Sequence, residues 1–412
     1  MLSATILLFY LIILLCISVF FLKQNSTIIK IFLYPWIFSI VSFLLIYLYI
    51  PSYDFFKLLK IDNVELSAVY YLIILNTVFL GSILCGVNVK ILPEKKSIKN
   101  YSPNSLYYLF LVILIIAFIF DFTTNIQSYF SPLSVYELRI SDDVSSRLSQ
   151  NIYFYFSLIC FPVSIFLIFK NGFSFLRLIP VILLFIAAIS NLSKFIILFM
   201  VSYCICMFFL KQDNFFPKRE QIRKIGLRFL VIVFISFIFI TSFRTTNNKD
   251  EDKPVLVIFH AYLGGYLPSF STYFVEYSNK FLSTEPSYEN YDKAKSRFGN
   301  QTFAGFYRIM NQLGFADFGS TVHYSGLFNV YSFWRDLIQD FGLYGTGLFT
   351  SFLGFIIGIL HRNLNKFSFT GLNILTLIGV YMSFTLFYSI TGFSFFYFVL
   401  IFPSFLLKKI HK

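Results

Sequence analysis

Residues 2–22 read LSATILLFYLIILLCISVFFL, and no position among them carries a charge. Leu, Ile, Phe and Val fill the run without the every-other-residue alternation of a barrel strand. A helix rises about 1.5 Å per residue, so a run of this length crosses a hydrocarbon core about 30 Å thick. It lacks a basic leading flank and a small-residue cleavage site, so it is expected to remain as a span and not to be removed as a signal peptide. Runs of the same kind recur near 31–50, 66–87, 105–120, 152–169, 178–190, 195–210, 225–243, 343–360, 372–388 and 392–407. The expected count is therefore eleven spans, within ten to twelve. The fold class that follows is all-α: a polytopic membrane protein with one large external loop at about 244–342. No Pro-, Ser- or Gly-rich linker interrupts the chain, so residues 1–412 are expected to form a single integral-membrane domain.

Composition agrees. Of 412 residues, 57% are hydrophobic and 13% charged, with a mean hydropathy of +0.74. Soluble domains carry about twice that fraction of charge. A net charge of +13 would suggest nucleic acid in a soluble chain. Here the cations sit in alternate loops, so membrane orientation accounts for them and no nucleic-acid partner is expected. Lys90, Lys95, Lys96 and Lys99 fall in one loop, Lys211, Lys218, Arg219, Arg223 and Lys224 in another, and Lys408, Lys409 and Lys412 in the tail. These place the C-terminus on the cytoplasmic side and the N-terminus outside. Loop 244–342 then faces outward with nine Lys/Arg against ten Asp/Glu, a balance that suits a folded external unit. The aromatics of VIFHAYLGGYLPSFSTYFVEY, 257–277, argue against disorder and for short helices on the membrane surface, one of them open to a partly re-entrant course.

Several chemistries find no motif. Cys16, Cys85, Cys160, Cys204 and Cys206 all fall in expected spans, with no CxxC or Cys/His cluster for a disulfide framework or zinc site. HExxH, Walker A and GxSxG patterns do not occur. Asp250 and Asp252 form a DxD inside a hydrophilic charge run, which suits a solvated surface better than a metal. Neither metal nor cofactor is expected.

The informative residues are charges at the outer membrane boundary, where an unpaired charge is costly and often functional. Arg244 ends the span 225–243, and Lys194 sits in the short hairpin SNLSK, 190–194. Each is either a cation snorkelling to the headgroups or a ligand for an anion such as a lipid phosphate. Arg297 and Arg308 are eleven apart, about three helical turns, and can share a face. Their planar forks match phosphate oxygens, while pairing with Asp292 or Asp317 is equally open. Gly264, Gly265 and Pro268 allow a sharp turn, beside which Tyr262, Tyr266 and Phe270 either stack on sugar rings or pack as a plain loop. His323 is either a general base or a structural histidine.

The stretch NVYSFWRDLIQDFGLYG, 329–345, sets Asn329, Tyr331, Arg335, Asp336 and Asp340 just ahead of the span 343–360. Asp336 and Asp340 are four apart and repel on a helix, so one is protonated or a cation lies between them. Asp340 also suits a helix N-terminus, where the dipole favours a carboxylate. Gly342 and Gly345 are expected to let this helix pack closely.

Three stretches carry a family resemblance: FNVYSFWRDLIQDFGLYGTGLFTSFLGFIIG at 328–358, YLGGYLPSF at 262–270 followed by FGNQTFAGF at 298–306, and SNLSKF at 190–195. The first is similar to the Asn-x-Tyr-Ser/Thr … Asp-Phe-Gly-x-x-Gly lead-in to a late span of the Wzy-type O-antigen polymerases, or oligosaccharide repeat unit polymerases. That family often shows twelve spans where eleven are counted here. The resemblance implies a metal-independent glycosyltransferase of the bacterial inner membrane, serving lipopolysaccharide or other surface-polysaccharide biosynthesis. A growing glycan on undecaprenyl pyrophosphate would move to the non-reducing end of a new lipid-linked repeat unit. Lys194, Arg244, Arg297 and Arg308 would then hold pyrophosphate. Asp340, Asp336 or His323 would serve as base, and Tyr262, Tyr266, Asn329, Tyr331 and Arg335 would contact glycan. Implied partners are the undecaprenyl-pyrophosphate-linked oligosaccharides, membrane lipid and a chain-length regulator protein. An O-antigen ligase shares most of this chemistry. A polysaccharide flippase or other transporter would place its charges nearer mid-membrane.

Overall fold

The computed structural model describes residues 2–22, 26–49, 64–91, 100–124, 148–190, 193–210, 235, 265–282, 302–314, 333–364, 368–385, 391 and 393–410. Within these the elements are α1 (Leu2–Leu22), α2 (Ser26–Tyr49), α3 (Leu66–Val87), β1 (Asn100–Pro103), α4 (Ser105–Thr124), α5 (Leu148–Asn171), α6 (Phe175–Ser190), α7 (Lys194–Leu210), α8 (Tyr266–Leu282), α9 (Ala304–Gln312), α10 (Phe333–Asn363), α11 (Phe369–Phe384), α12 (Ser394–Ile401), a 3-10 turn (Phe402–Leu406) and β2 (Leu407–Ile410). The protein is an all-α polytopic membrane protein. Among the described residues α1 to α5 and α10 are long and apolar enough to cross a bilayer, and four shorter apolar helices accompany them. The expected span 225–243 lies outside the described residues apart from Ile235.

Two boundaries depart from expectation. Helix α10 starts at Phe333 and not at Leu343, so the charged lead-in is itself helical. The last apolar stretch, 392–407, is not one helix. Pro403, which has no amide hydrogen to continue an α-helical ladder, falls in the 3-10 turn that ends α12. The chain then extends as β2, antiparallel to β1 with Tyr101 opposite Lys409.

The chain divides into two compact units, each assembled from three separate segments. One comprises Met1–Pro93, Leu256–Leu364 and Ile378–Ser394; the other comprises Glu94–Val255, Asn365–Leu377 and Phe395–Lys412. In the second unit Leu114, Ala117, Tyr153, Leu183 and Ala187 of α4, α5 and α6 form one buried cluster. Asn373 accepts from the Tyr203 hydroxyl and donates to the Val399 carbonyl at 3.2 Å, so its amide is satisfied inside the apolar interior.

The first unit is built around α3 and α10. A Cβ at Gly358 would run into the Ile83 carbonyl, one at Gly86 into the Phe355 carbonyl, and one at Gly354 would lie 2.6 Å from the Phe79 carbonyl. Glycine alone lets the two backbones approach this closely, as small-residue interfaces do between membrane helices. Ser82 and Ser351 hydrogen-bond across the same seam at 2.9 Å. The close packing expected at Gly342 and Gly345 thus falls further along the helix. Around Gly345 the near neighbour is Phe341 of its own helix.

The contacts also fix direction. Tyr71 meets Leu343, Phe79 meets Gly354, and Ile83 meets Gly358, so α3 and α10 run parallel. The third and ninth spans of an eleven-span chain would both cross in the same sense.

Candidate functional site

Helix α10 is two helices joined at a break. Gly342 has φ 69° and ψ 179°, a conformation almost confined to glycine. Without the break, Trp334 would lie nine residues beyond Leu343, about 13 Å further out along the axis. Instead its ring meets Phe79, centroids 5.9 Å apart, well along α3 from the Tyr71–Leu343 contact. The leg 333–341 therefore doubles back beside the span that follows it. The Phe333 amide donates to the Thr385 carbonyl at 2.8 Å, and Trp36 Nε1 donates to Thr385 Oγ1 at 3.1 Å, which pins the start of the leg inside the unit.

This reversal sorts the three charges. Arg335 and Asp336 are both withdrawn from the surface, each side chain 8% exposed, with Arg335 Nη2 2.8 Å from Asp336 Oδ1. Arg335 Nε donates to the same oxygen at 3.3 Å. Asp340 sits two residues before the break and is only partly buried. Its Oδ2 accepts from the Thr302 amide at 2.7 Å and from Thr302 Oγ1 at 2.6 Å. The repulsion expected between Asp336 and Asp340 is met by giving each carboxylate its own partners.

Thr302 lies just ahead of α9. Its carbonyl accepts from Thr391 Oγ1. Three residues on, Gly305 abuts the backbone of Phe393 and Ser394 so closely that a Cβ would lie 2.7 Å from the Ser394 nitrogen, and Ser394 Oγ donates to the Gly305 carbonyl at 3.2 Å. An aromatic backing supports both sides of the contact. Phe341 stacks on Phe349 with centroids 4.5 Å apart, and Phe303 meets the same ring edge-on at 6.2 Å. The arrangement holds a carboxylate at the break by two hydrogen bonds to one oxygen.

Compared with known proteins, the chain matches no family model, no curated protein and no solved structure.

The other expected site residues divide as follows. Tyr266 opens α8 and is fully enclosed, its ring edge-on to Trp36 at 5.2 Å. Burial raises its phenol above the ordinary value. A glycan could reach Tyr266 or Arg335 only by entering the bundle. Leu267 and Phe270, in the first turns of α8, are buried too. Lys194 begins α7 and Arg308 lies in α9, while their side chains lie outside the described ones. Arg244, Arg297, Tyr262, His323, Asn329 and Tyr331 also lie outside the described residues. Among the described residues no three His, Cys, Asp or Glu side chains come together as metal ligands. Thr302 and Thr391 were not singled out from the sequence. The only signal for Thr302 was its place within FGNQTFAGF, and Thr391 had none.

Proposed function

We propose that this chain polymerises lipid-linked oligosaccharide repeat units at the periplasmic face of a bacterial inner membrane, with its C-terminus in the cytoplasm. The reading begins with the family resemblance of three sequence stretches. The observation that carries it further is the Thr302–Asp340 contact. It joins two of those stretches, FGNQTFAGF and the Asp-Phe-Gly lead-in, across 38 residues of sequence at the head of a membrane span. Asp340 is held at the head of the span, where its charge suits an interfacial enzyme better than a transporter, while Arg335 and Asp336 are withdrawn into the unit and paired with each other.

In the proposed reaction the anomeric C–O bond to undecaprenyl pyrophosphate breaks, and its electron pair leaves with the phosphate oxygen. A new C–O bond forms from a hydroxyl oxygen at the non-reducing end of the incoming repeat unit. The hydroxyl proton passes to Asp340, and undecaprenyl pyrophosphate departs as the anion. Pyrophosphate is a good leaving group, so the main demand is to stabilise charge that grows as the bond breaks, which pre-placed cations do without reorganising. Arg244, Arg297, Arg308 and Lys194 are the proposed cations. General-base assistance by a positioned carboxylate contributes about 10²–10⁴-fold.

Deletion of the gene tests the reading directly. The expected result is surface glycan capped with a single repeat unit. Loss of a ligase would instead leave bare acceptors and polymer accumulating on undecaprenyl pyrophosphate, and loss of a flippase would trap repeat units in the inner leaflet. A long-chain ladder of unchanged length would refute polymerisation.

A further inference from the structure

We infer that Thr302 is the positioning residue for Asp340, and that Thr391 and the Gly305–Ser394 contact hold Thr302 in place. The inference rests on the polymerase reading above, because it concerns the carboxylate assigned there as base.

Four observations converge. Both donors of one residue meet a single carboxylate oxygen, at 2.7 Å from the amide and 2.6 Å from the hydroxyl. The amide belongs to the backbone and cannot rotate away, so the pair fixes the orientation of the carboxylate as well as its position. Thr302 is itself 1% exposed, and its β-branched side chain has few rotamers to choose from. The hydroxyl is thus held on Asp340 by packing. Third, the far side of Thr302 is tied as well, its carbonyl to Thr391 Oγ1 and its neighbour Gly305 against Phe393 and Ser394. Last, Asp340 lies two residues from the break at Gly342. Helix geometry fixes where an aspartate's Cβ points but not its side-chain torsions, so the carboxylate takes its direction from an anchor outside its own helix, and Thr302 supplies one. Active-site groups must be held within about 0.5 Å of productive geometry, and a misplacement of about 1 Å can lose about a hundredfold in rate.

The test uses membranes carrying the full chain, incubated with undecaprenyl-pyrophosphate-linked oligosaccharide extracted from cells lacking the gene. Thr302→Val keeps shape and the backbone donor and removes only the hydroxyl. It should lower kcat by about tenfold to a hundredfold with KM little changed. Thr302→Ser, which restores the hydroxyl, should recover to within about threefold of wild type. Thr302→Val placed on Asp340→Asn should cost nothing further, since two residues acting through one contact are not additive. Thr391→Val should show the same kcat-selective loss to a smaller degree, and it stands in if Thr302→Val fails to accumulate. Wild-type kcat in Thr302→Val, or in Thr391→Val where that stands in, would overturn the inference and leave the polymerase reading intact. So would failure of serine to rescue, or a further loss on the Asp340→Asn background. Wild-type membranes that make no polymer would instead remove the polymerase reading, and the positioning role with it.

Discussion

At the residue scale the two aspartates of α10 carry different loads. Asp336 neutralises Arg335 out of contact with water. Removing one partner of a buried pair leaves an uncompensated charge and costs about 3–5 kcal/mol, while replacing both by apolar residues is often neutral. Asp336→Asn is therefore expected to lower the melting temperature of the detergent-solubilised protein clearly, and Arg335→Met with Asp336→Leu to restore most of it. A melting temperature unchanged by Asp336→Asn alone would show that the pair bears no load. Asp340 is more exposed and held by neutral donors. Asp340→Asn and Asp340→Glu should leave the melting temperature within a few degrees of wild type yet cut polymerisation severely, with residual turnover still measurable in membranes. A helix-dipole partner alone is worth about 0.3–1 kcal/mol and would tolerate either change. Normal ladders from both variants would reduce Asp340 to that lesser role. Arg335, Asp336 and Asp340 were legible in the sequence because charges beside apolar runs are rare. Thr302 was not, because hydroxyl residues are common and its meaning depends on what it faces.

Two features of α10 are testable at the scale of the element. Its seam with α3 has no room for a side chain at Gly358, where the obstacle is backbone and cannot rotate aside. Overpacking of this kind costs about 1–3 kcal/mol, occasionally more. Gly358→Leu should therefore reduce the yield of folded protein sharply. Gly347→Ala, with nothing within 4 Å of its Cβ, should not. Equal yields from the two would argue against the close seam. The reversal at Gly342 offers an optical readout, because Trp334 is one of only two tryptophans. Forcing a side chain into this backbone region costs about 1–3 kcal/mol. With Trp36 kept, because its indole helps pin the leg through Thr385, Gly342→Ala should shift tryptophan emission to longer wavelength as the leg carrying Trp334 loosens from Phe79. Unaltered emission would mean that the leg does not depend on the break.

For the whole molecule, the parallel run of α3 and α10 constrains the crossing order. It agrees with the positions that an eleven-span chain gives them, third and ninth. Reporter fusions after residues 98, 220 and 410 should score cytoplasmic, and fusions after 130 and 285 periplasmic. A cytoplasmic signal at 285 would remove the outward-facing site together with the topology. The division into two units could not be read along the chain, since each unit gathers three separated segments and no linker composition marks the joins.

The sequence by itself determined that this is a helical membrane protein, where most of its helices lie, and which charges at its boundary are worth asking about. Bilayer thickness sets helix length, and the aversion of hydrocarbon to charge makes both signals local and strong. Tertiary structure alone decided that the charged lead-in doubles back at Gly342, that Gly86, Gly354 and Gly358 and not Gly345 bring helices together, that β2 pairs with β1, and that Asp340 is met by Thr302. Each of these is a contact between residues far apart in the chain. In spans as uniformly apolar as α1, α4 and α7 no periodicity distinguishes one buried face from another, so only packing can say which residues meet.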